Sequence, residues 1–187
     1  MTAILDAAIR VLDREGPDAA TTSRVAEVAG VSVGTLYQYF SNRDAIIDAL
    51  QDREFARSTE LINRVLLGGP RVPDKQLAKA VIEELLRLYR AAPALHRLLA
   101  VEGLRVADSE RVQAFDLRMV NLVRSFLSLA GPSLCRQNTD AAAFVVYQSV
   151  RASMLAYLLE EPAGVDDAAL VEELSALLTN YLVGAER

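Results

Sequence analysis

Two helix patterns separated by one glycine, between residues 25 and 40, constrain the fold of this chain more than any other feature. The first pattern has apolar residues at helical spacing: Val25, Ala26 and Ala29. Gly30 follows at the position where a left-handed helix end favours glycine, and Ser32 is placed to cap a second, short helix. That helix places Leu36 and Phe40 one turn apart on a buried face. The stretch is therefore predicted to form a helix, a tight turn and a helix.

The other faces of the second helix carry small or weakly charged side chains: Val33, Gly34, Thr35, Tyr37, Gln38 and Tyr39. Residues 37 to 39 are consecutive, so they cannot all lie in the core beside Leu36 and Phe40. A helix-turn-helix with an exposed second helix has the geometry that places side chains in the major groove of DNA. The pattern therefore favours a DNA-binding role over two helices that only pack together.

Periodic apolar residues continue to the end of the chain, and no segment has a convincing strand pattern. Helices are predicted at about 2–15, 24–29, 41–67, 74–90, 109–130, 139–160 and from 166, with further helices at 33–40 and after Pro93. Ser41 is expected to cap the helix at 41–67. The fold is predicted to be all-α with about nine helices. A three-helix N-terminal domain at 1–46 is joined by the helix at about 41–67 to a helical domain at 47–187.

The composition describes a globular chain with much apolar surface to bury. Its 187 residues carry a net charge of −5, and its mean hydropathy of +0.19 is high, which favours an oligomer. Residues 20–43 have two arginines against one glutamate, a thin positive balance for a DNA-binding surface. The only cysteine, Cys135, excludes an intramolecular disulfide and fits a reducing compartment. We find no signal-peptide pattern at the start and expect a cytoplasmic protein.

The segment 141–159 is the most apolar of the chain, but Arg151 lies near its centre. A buried helix is predicted rather than a membrane span, because an arginine is costly at the centre of a bilayer. Arg151 shares a face with Phe144, Tyr147, Met154 and Leu158. It either anchors a polar or anionic ligand or forms a structural ion pair with Glu102. The ion pair is favoured because a buried charge needs a partner.

Other single residues give weaker predictions. Phe115, Met119 and Phe126 lie on one helical stripe and are expected to face the interior, where a cavity could form. His96, the only histidine, is expected in an exposed or capping position near Pro93. No second histidine accompanies it, so we expect no metal site and no cofactor.

The second domain is predicted to form a two-fold homodimer through the helices at 139–160 and 166–183. The dimerising face of the first helix is expected to carry Val146, Val150, Ser153 and Tyr157. The last helix has two apolar seams, one with Leu170, Leu174, Leu177 and Tyr181 and one with Val171, Leu178 and Leu182. Surfaces this apolar are rarely exposed to water, so a four-helix bundle between two copies is expected.

The run from Thr21 to Asp44, with Ala-Gly-Val-Ser at 29–32 and Gly-Thr-Leu-Tyr-Gln-Tyr-Phe at 34–40, closely resembles the N-terminal domain of the TetR (tetracycline repressor) family. The resemblance covers about residues 4 to 50. It implies a homodimeric transcriptional regulator, usually a repressor, that leaves a near-palindromic double-stranded DNA operator when a small molecule binds. It places these residues against DNA: Thr22, Arg24, Val33, Gly34, Thr35, Tyr37, Gln38, Tyr39 and Arg43. Ser23 stands where some relatives have a base-reading arginine.

Chemistry suggests roles within this set. Phosphates are expected to be held by Thr22, Tyr37, Tyr39 and Arg43. Base edges are expected to be contacted by Thr35 and Gln38 and a thymine methyl group by Val33, while Gly34 lets the backbone approach closely. The effector is expected to be small and hydrophobic or amphipathic, in a pocket drawn from Tyr89, Glu102, Phe115, Met119, Phe126, Tyr147, Arg151 and Met154. The alternative is a carrier of hydrophobic molecules with the same fold and no DNA binding. No nucleophile–base pair or phosphate loop points to an enzyme.

Overall fold

The computed structural model describes residues 1–105 and 110–184, and within these ranges the chain is helical without a strand. The helices are α1 Thr2–Glu15, α2 Thr22–Ala29, α3 Val33–Tyr37, α4 Arg43–Gly68, α5 Lys75–Ala91, α6 Pro93–Arg105, α7 Glu110–Ala130, α8 Thr139–Glu160 and α9 Asp167–Val183. Short 3₁₀ turns at Pro17–Ala19 and Gly131–Ser133 follow α1 and α7. The prediction of an all-α fold with about nine helices is confirmed.

Contacts divide the chain into two compact units. The first comprises Met1–Arg57 and Tyr89–Arg105, and the second takes Ser58–Leu88 and the remaining C-terminal part. This division differs from the boundary at residue 46, because the end of α5 and all of α6 pack with the first unit. The domains 1–46 and 47–187 stay a prediction about function, distinct from this division by contacts.

The core of the first unit is formed by one face of each of its helices. Leu36 of α3 and Leu95 of α6 are fully buried, and Leu50 of α4 is nearly so. These side chains pack with the buried face of α1: Ile4, Leu5, Ala7, Ala8, Val11 and Leu12. The short helix α3 therefore packs on a core built from more than three helices, because α4 and α6 also contribute to it.

The second unit centres on the packing of α7 against α8, with α9 beside α8. Leu127, Ala142, Ala143 and Leu182 form one of its buried clusters. The end of α9 is closed by the loop before α8. The amide and the thiol of Cys135 both donate to the carbonyl oxygen of Leu182, at 2.9 and 3.2 Å. Arg136 donates to the carbonyl of Tyr181 at 2.6 Å and lies over the ring of that residue.

Polar side chains cap most helices; the start of α2 and the cap of α4 differ from the prediction. The Oγ1 of Thr21 accepts from the amide of Arg24 at 3.2 Å, so α2 begins at Thr22 rather than at 24. The side chain of Asn42 accepts from the amide of Ala45 at 2.8 Å, so Asn42 caps α4. The prediction that Ser41 caps this helix is wrong, because α4 begins two residues later than expected.

Helix α8 is long and apolar enough to cross a membrane by length and composition alone. In the fold it packs against α7 and α9 as part of the second unit. Only 22% of its most apolar window is buried within one chain. Most of its other residues are half-buried, and its exposed large apolar side chains are Phe144 and Val145.

Candidate nucleic-acid interface and apolar cavity

The turn between α2 and α3 is built by backbone geometry that the sequence predicts. Gly30 has φ 71°, in the left-handed region that favours glycine. Its amide donates to the carbonyl of Glu27 at 3.1 Å, and the amide of Val31 donates to Ala26 at 3.0 Å. The hydroxyl of Ser32 accepts from the amide of Thr35 at 3.0 Å and caps α3 as predicted. The orientation of α3 on α2 is thus fixed by local hydrogen bonds.

Helix α3 and the residues after it present an exposed face above a buried one. Leu36 and Phe40 are buried, whereas Tyr37 is 51% and Tyr39 54% exposed. Gln38 is exposed between the tyrosines, and Val33 and Gly34 are exposed at the start of the helix. A Cβ added at Gly34 meets only the Ser32 hydroxyl, at 3.8 Å. No atom of the protein requires a glycine there, so the open surface is available to an outside partner.

Several of the predicted DNA contacts lie together in the structure. The hydroxyls of Thr22 and Tyr37 are 3.4 Å apart and join the start of α2 to α3. The Thr35 hydroxyl lies 2.8 Å from that of Ser32 and is therefore engaged in the cap. The Thr22–Tyr37 pair forms a polar edge of the exposed face, suited to hold a phosphate.

The two arginines predicted at this face are both engaged within the protein. Arg24 forms ion pairs with Glu15, at 2.8 Å, and with Glu27, at 2.7 Å. Hydrogen bonds to Glu15, which has the larger effect, and to Glu27 raise the pKa of Arg24. The hydrogen bond from Arg24 in turn lowers the pKa of Glu15. Arg43 donates to the carbonyl of Pro17 at 3.2 Å. No local pattern identifies Glu15, because its contact with Arg24 depends on how α1 packs beside α2.

The charge of this part of the chain is unfavourable for DNA. Residues 4–50 contain four arginines, seven aspartates and glutamates, and neither lysine nor histidine, which gives a net charge of −3. The slight positive balance at 20–43 is therefore surrounded by carboxylates. Affinity for DNA must depend on close contacts more than on an extended positive field.

The second unit contains an apolar cavity of about 90 Å³ that is partly open to solvent. Its walls come from the end of α4, the linker that follows, and helices α5, α7, α8 and α9. They are Ile62, Leu66, Pro73, Asp74, Leu77, Ala78, Val81, Met119, Val123, Phe126, Leu127, Val146, Tyr147, Val150, Leu178, Thr179 and Leu182. Three residues of the predicted pocket, Met119, Phe126 and Tyr147, line this cavity. Five others do not: Tyr89, Glu102, Phe115, Arg151 and Met154.

The polar side chains in the cavity wall already have partners within the protein. Tyr147 donates to Asp116 at 2.5 Å, and Thr179 donates to the carbonyl of Ser175 at 2.8 Å. Asp74 accepts from the amide of Leu77 at 2.7 Å as the cap of α5. The wall therefore offers mainly hydrocarbon surface to anything inside it.

Arg151 forms an ion pair, but with a different residue from the one expected. Its Nε lies 3.5 Å from an Oδ1 atom of Asp116 on α7, the same oxygen that accepts from Tyr147. The expected partner, Glu102, belongs to the first unit. Asp116 lies one turn from the buried residues Val112 and Met119 on α7 and therefore shares their side of the helix. Its carboxylate is there within reach of Arg151 on α8.

His96 is buried, and the prediction of an exposed or capping position is wrong. Its Nε2 lies 3.7 Å from an oxygen of Glu54, whose side chain is only 4% exposed. The ring of Tyr89 lies against His96, with 4.8 Å between ring centroids. Arg57 holds the same Glu54 at 3.0 Å. A polar contact between two packed helices has no periodic signature, so the sequence did not reveal it.

The exposed apolar face of α8 is not the one predicted. Val146 and Val150 line the cavity, and the hydroxyl of Tyr157 donates to Asp167 at 2.5 Å. Phe144 is instead 55% exposed, with Val145 beside it, and Leu177 of α9 is 56% exposed. We call Phe144, Val145 and Leu177 the apolar patch. It lies on the predicted helices, but about half a turn around α8 from the predicted residues.

Two family models match this chain and together cover most of it. Bacterial regulatory proteins of the tetR family match residues 4–50, and the tetracyclin repressor-like C-terminal domain matches residues 75–182. The chain belongs to the TetR family. The first match spans α1 to the start of α4, and the second runs from the start of α5 almost to the end of α9. Members of the TetR family are DNA-binding regulators rather than enzymes, and the chain is classed with them.

One relative and two solved structures illustrate the similarity. The nucleoid occlusion factor SlmA of Glaesserella parasuis is 30% identical over 130 residues, which span 65% of this chain and 63% of that protein. The fatty acid degradation regulator FadR of Bacillus halodurans has a TM-score of 0.74 at 21% identity, covering 95% and 93% of the two chains. FadR of Bacillus subtilis, solved with stearoyl-CoA, has a TM-score of 0.73 at 20% identity, covering 96% and 98%. These structures show a shared fold.

Proposed function

We propose that this TetR-family chain is a cytoplasmic dimeric repressor that binds a near-palindromic DNA operator and leaves it when a small apolar or amphipathic ligand enters the cavity. The observation that carries the proposal is the exposed face of α3 above a buried one. Tyr37, Gln38 and Tyr39 stand in solvent although Leu36 and Phe40, on the other side, anchor the element in the core.

In this proposal α3 enters the major groove and its neighbours hold the backbone. Gln38 contacts a base edge, Val33 a thymine methyl group, and Gly34 allows close approach of the protein backbone. The paired hydroxyls of Thr22 and Tyr37 hold one phosphate and fix the register. Two such elements reach successive major grooves when they lie about 34–36 Å apart.

The dimer forms through the apolar patch on α8 and α9. Exposed aromatic and aliphatic side chains on neighbouring helices favour contact with a second copy, and a two-fold axis lets one patch serve both chains. Ala152 and Leu155 continue the same face of α8 and are at least partly exposed. The product is a four-helix bundle of two α8 and two α9 helices.

The cavity wall supports a hydrocarbon ligand. A cavity of about 90 Å³ is smaller than the roughly 150 Å³ apolar cavity known to bind benzene. It takes a short or slender group without rearrangement, whereas a longer chain has to widen it. Since one structural neighbour is solved with stearoyl-CoA, fatty acyl compounds are the first class to test. Ligand and operator weaken each other's binding by one common factor if they favour different states of the dimer.

Fluorescence anisotropy with labelled DNA from upstream of the chain's own gene tests the DNA-binding role. Wild-type protein should bind this duplex more tightly than a scrambled one, and added acyl-CoA of graded length should release it. Gly34→Leu adds a side chain to the exposed face and should abolish binding by a clash with the groove. Gly68→Leu is the control, since a Cβ at Gly68 meets no atom within 4 Å. Equal binding by wild type and Gly34→Leu contradicts the proposed interface.

The second candidate is a hydrophobe-binding protein of the same fold without DNA binding. The net charge of −3 over residues 4–50 favours it. Failure of the wild type to bind the upstream or the scrambled duplex at 50 mM salt, together with retained binding of a fluorescent fatty acid, would establish this alternative.

A further inference from the structure

The guanidinium group of Arg24 is filled by carboxylates of the same chain. Its Nε donates to both oxygens of Glu15, at 3.2 and 3.0 Å, and its Nη2 donates to Glu15 Oε1 at 2.8 Å. Its Nη1 lies 2.7 Å from Glu27 Oε2. All three nitrogens therefore face carboxylate oxygens. The planar fork that suits a phosphate is already engaged on both sides.

This arrangement bears on DNA binding because basic side chains are scarce here. Among the residues proposed to face DNA only Arg24 and Arg43 are basic, and Arg43 donates to the Pro17 carbonyl. An arginine that is bound to two carboxylates brings no net positive charge to the phosphate backbone of DNA. It gains a phosphate only by giving up at least one carboxylate, so part of the electrostatic free energy of binding is lost.

We propose that Glu15 and Glu27 set the DNA affinity of this protein by holding Arg24 in a closed ion pair, the Arg24 latch, which a DNA phosphate has to open. The inference rests on the proposed function, because the latch has a role only if the surface of α2 and α3 binds DNA. Arg24 is 38% and Glu15 32% exposed. Exposed ion pairs are worth little, so a phosphate can compete for Arg24 and the latch lowers affinity without abolishing it.

The test compares wild type with Glu15→Gln/Glu27→Gln by anisotropy on one duplex between 50 and 200 mM salt. The variant should bind about fivefold more tightly per half-site at the lowest salt, since an exposed ion pair no longer opposes the phosphate contact. The slope of log affinity against log salt should steepen by about 0.9 for each Arg24 that gains a phosphate. Thermal unfolding of both proteins checks that the fold is retained.

Two controls separate the latch from a general change of charge. Asp13→Asn/Asp18→Asn removes two carboxylates of the same segment, and neither residue is among the described partners of Arg24. It should give a smaller gain and an unchanged salt slope. In an Arg24→Gln background, Glu15→Gln/Glu27→Gln should have no effect beyond that of the control pair.

An equal gain in the control pair, or a gain that persists without Arg24, overturns the latch and leaves the proposed function standing. Unchanged affinity of the Glu15→Gln/Glu27→Gln variant has the same meaning. If the wild type and every variant fail to bind duplex DNA at 50 mM salt, the proposed function fails and the latch falls with it. Should the double variant not fold, Glu27→Gln alone tests the same point, because Glu27 is 69% exposed and contributes little to packing.

Discussion

Two adjacent glycines at the end of α4, Gly68 within the helix and Gly69 just after it, have different environments. A Cβ at Gly69 lies 2.6 Å from Cδ1 of Leu77 and 3.1 Å from the carbonyl oxygen of Val65. A Cβ at Gly68 meets no atom within 4 Å. Leu77 is also part of the cavity wall. The absence of a side chain at residue 69 therefore allows the linker to pack against that wall.

Gly69→Ala should lower the free energy of unfolding by about 1–3 kcal/mol, because the new methyl group forces Leu77 to move. Gly68→Ala should leave it unchanged or raise it by up to about 1 kcal/mol, since alanine has less freedom in the unfolded chain. Urea unfolding followed by circular dichroism measures both. Equal effects of the two substitutions are incompatible with the close contact at Gly69.

From the sequence, it was easier to predict that a residue such as Arg151 needs a partner than to predict which residue that partner is. It favoured an ion pair for Arg151, and the structure gives Asp116 in place of Glu102. It missed the burial of His96 beside Glu54, and it did not connect Glu15 with Arg24. Each of these contacts joins two helices, so its formation depends on packing that local spacing does not determine.

The start of α4 depends on which of two neighbouring residues caps the helix. Both Ser41 and Asn42 are good capping residues. Asn42 makes the hydrogen bond, to the amide of Ala45 at 2.8 Å. After Phe40, which is held in the core of the first unit, the chain bends at Ser41 and Asn42, and α4 begins only after this bend.

Asn42→Ala should lower the free energy of unfolding by about 1 kcal/mol, the usual effect of removing an N-cap. Ser41→Ala is the matched control and should change it by less than about 0.5 kcal/mol, as expected for an exposed residue outside the cap. Chemical denaturation at neutral pH gives both values. A larger loss from Ser41→Ala would show that the cap lies one residue earlier.

Helices were predictable where a signal is local and repeated. Apolar spacing located the helices, and α1 and α8 begin and end where expected. The exposed side of α8 was placed incorrectly because nearly every face of this helix is apolar. Without polar residues to mark solvent, spacing alone does not distinguish Val146, in the cavity wall, from Val145, in the apolar patch.

The apolar patch leads to a prediction about how two chains form a dimer. Phe144→Glu/Leu177→Glu should convert a dimer into a monomer of 20.4 kDa, since like charges that face each other across a two-fold interface cost several kcal/mol. Leu67→Glu is the control, because Leu67 is 74% exposed on α4 and lies outside the patch. Light scattering at micromolar concentration measures the mass. A wild-type monomer, or a dimer that survives both substitutions, contradicts the proposed interface.

A ligand that enters the cavity also changes the stability of the folded chain. Unfilled volume in a core is destabilising by about 24 cal/mol per Å³, so a cavity of about 90 Å³ corresponds to about 2 kcal/mol. Hydrocarbon that fills it removes that destabilisation, which is equivalent to roughly thirtyfold in affinity before any new polar contact forms. Because volume inside the fold that no atoms fill is lost on unfolding, hydrostatic pressure should destabilise the free protein more than the ligand-bound protein. The cavity thus affects how the folded protein responds to pressure as well as how it binds a ligand.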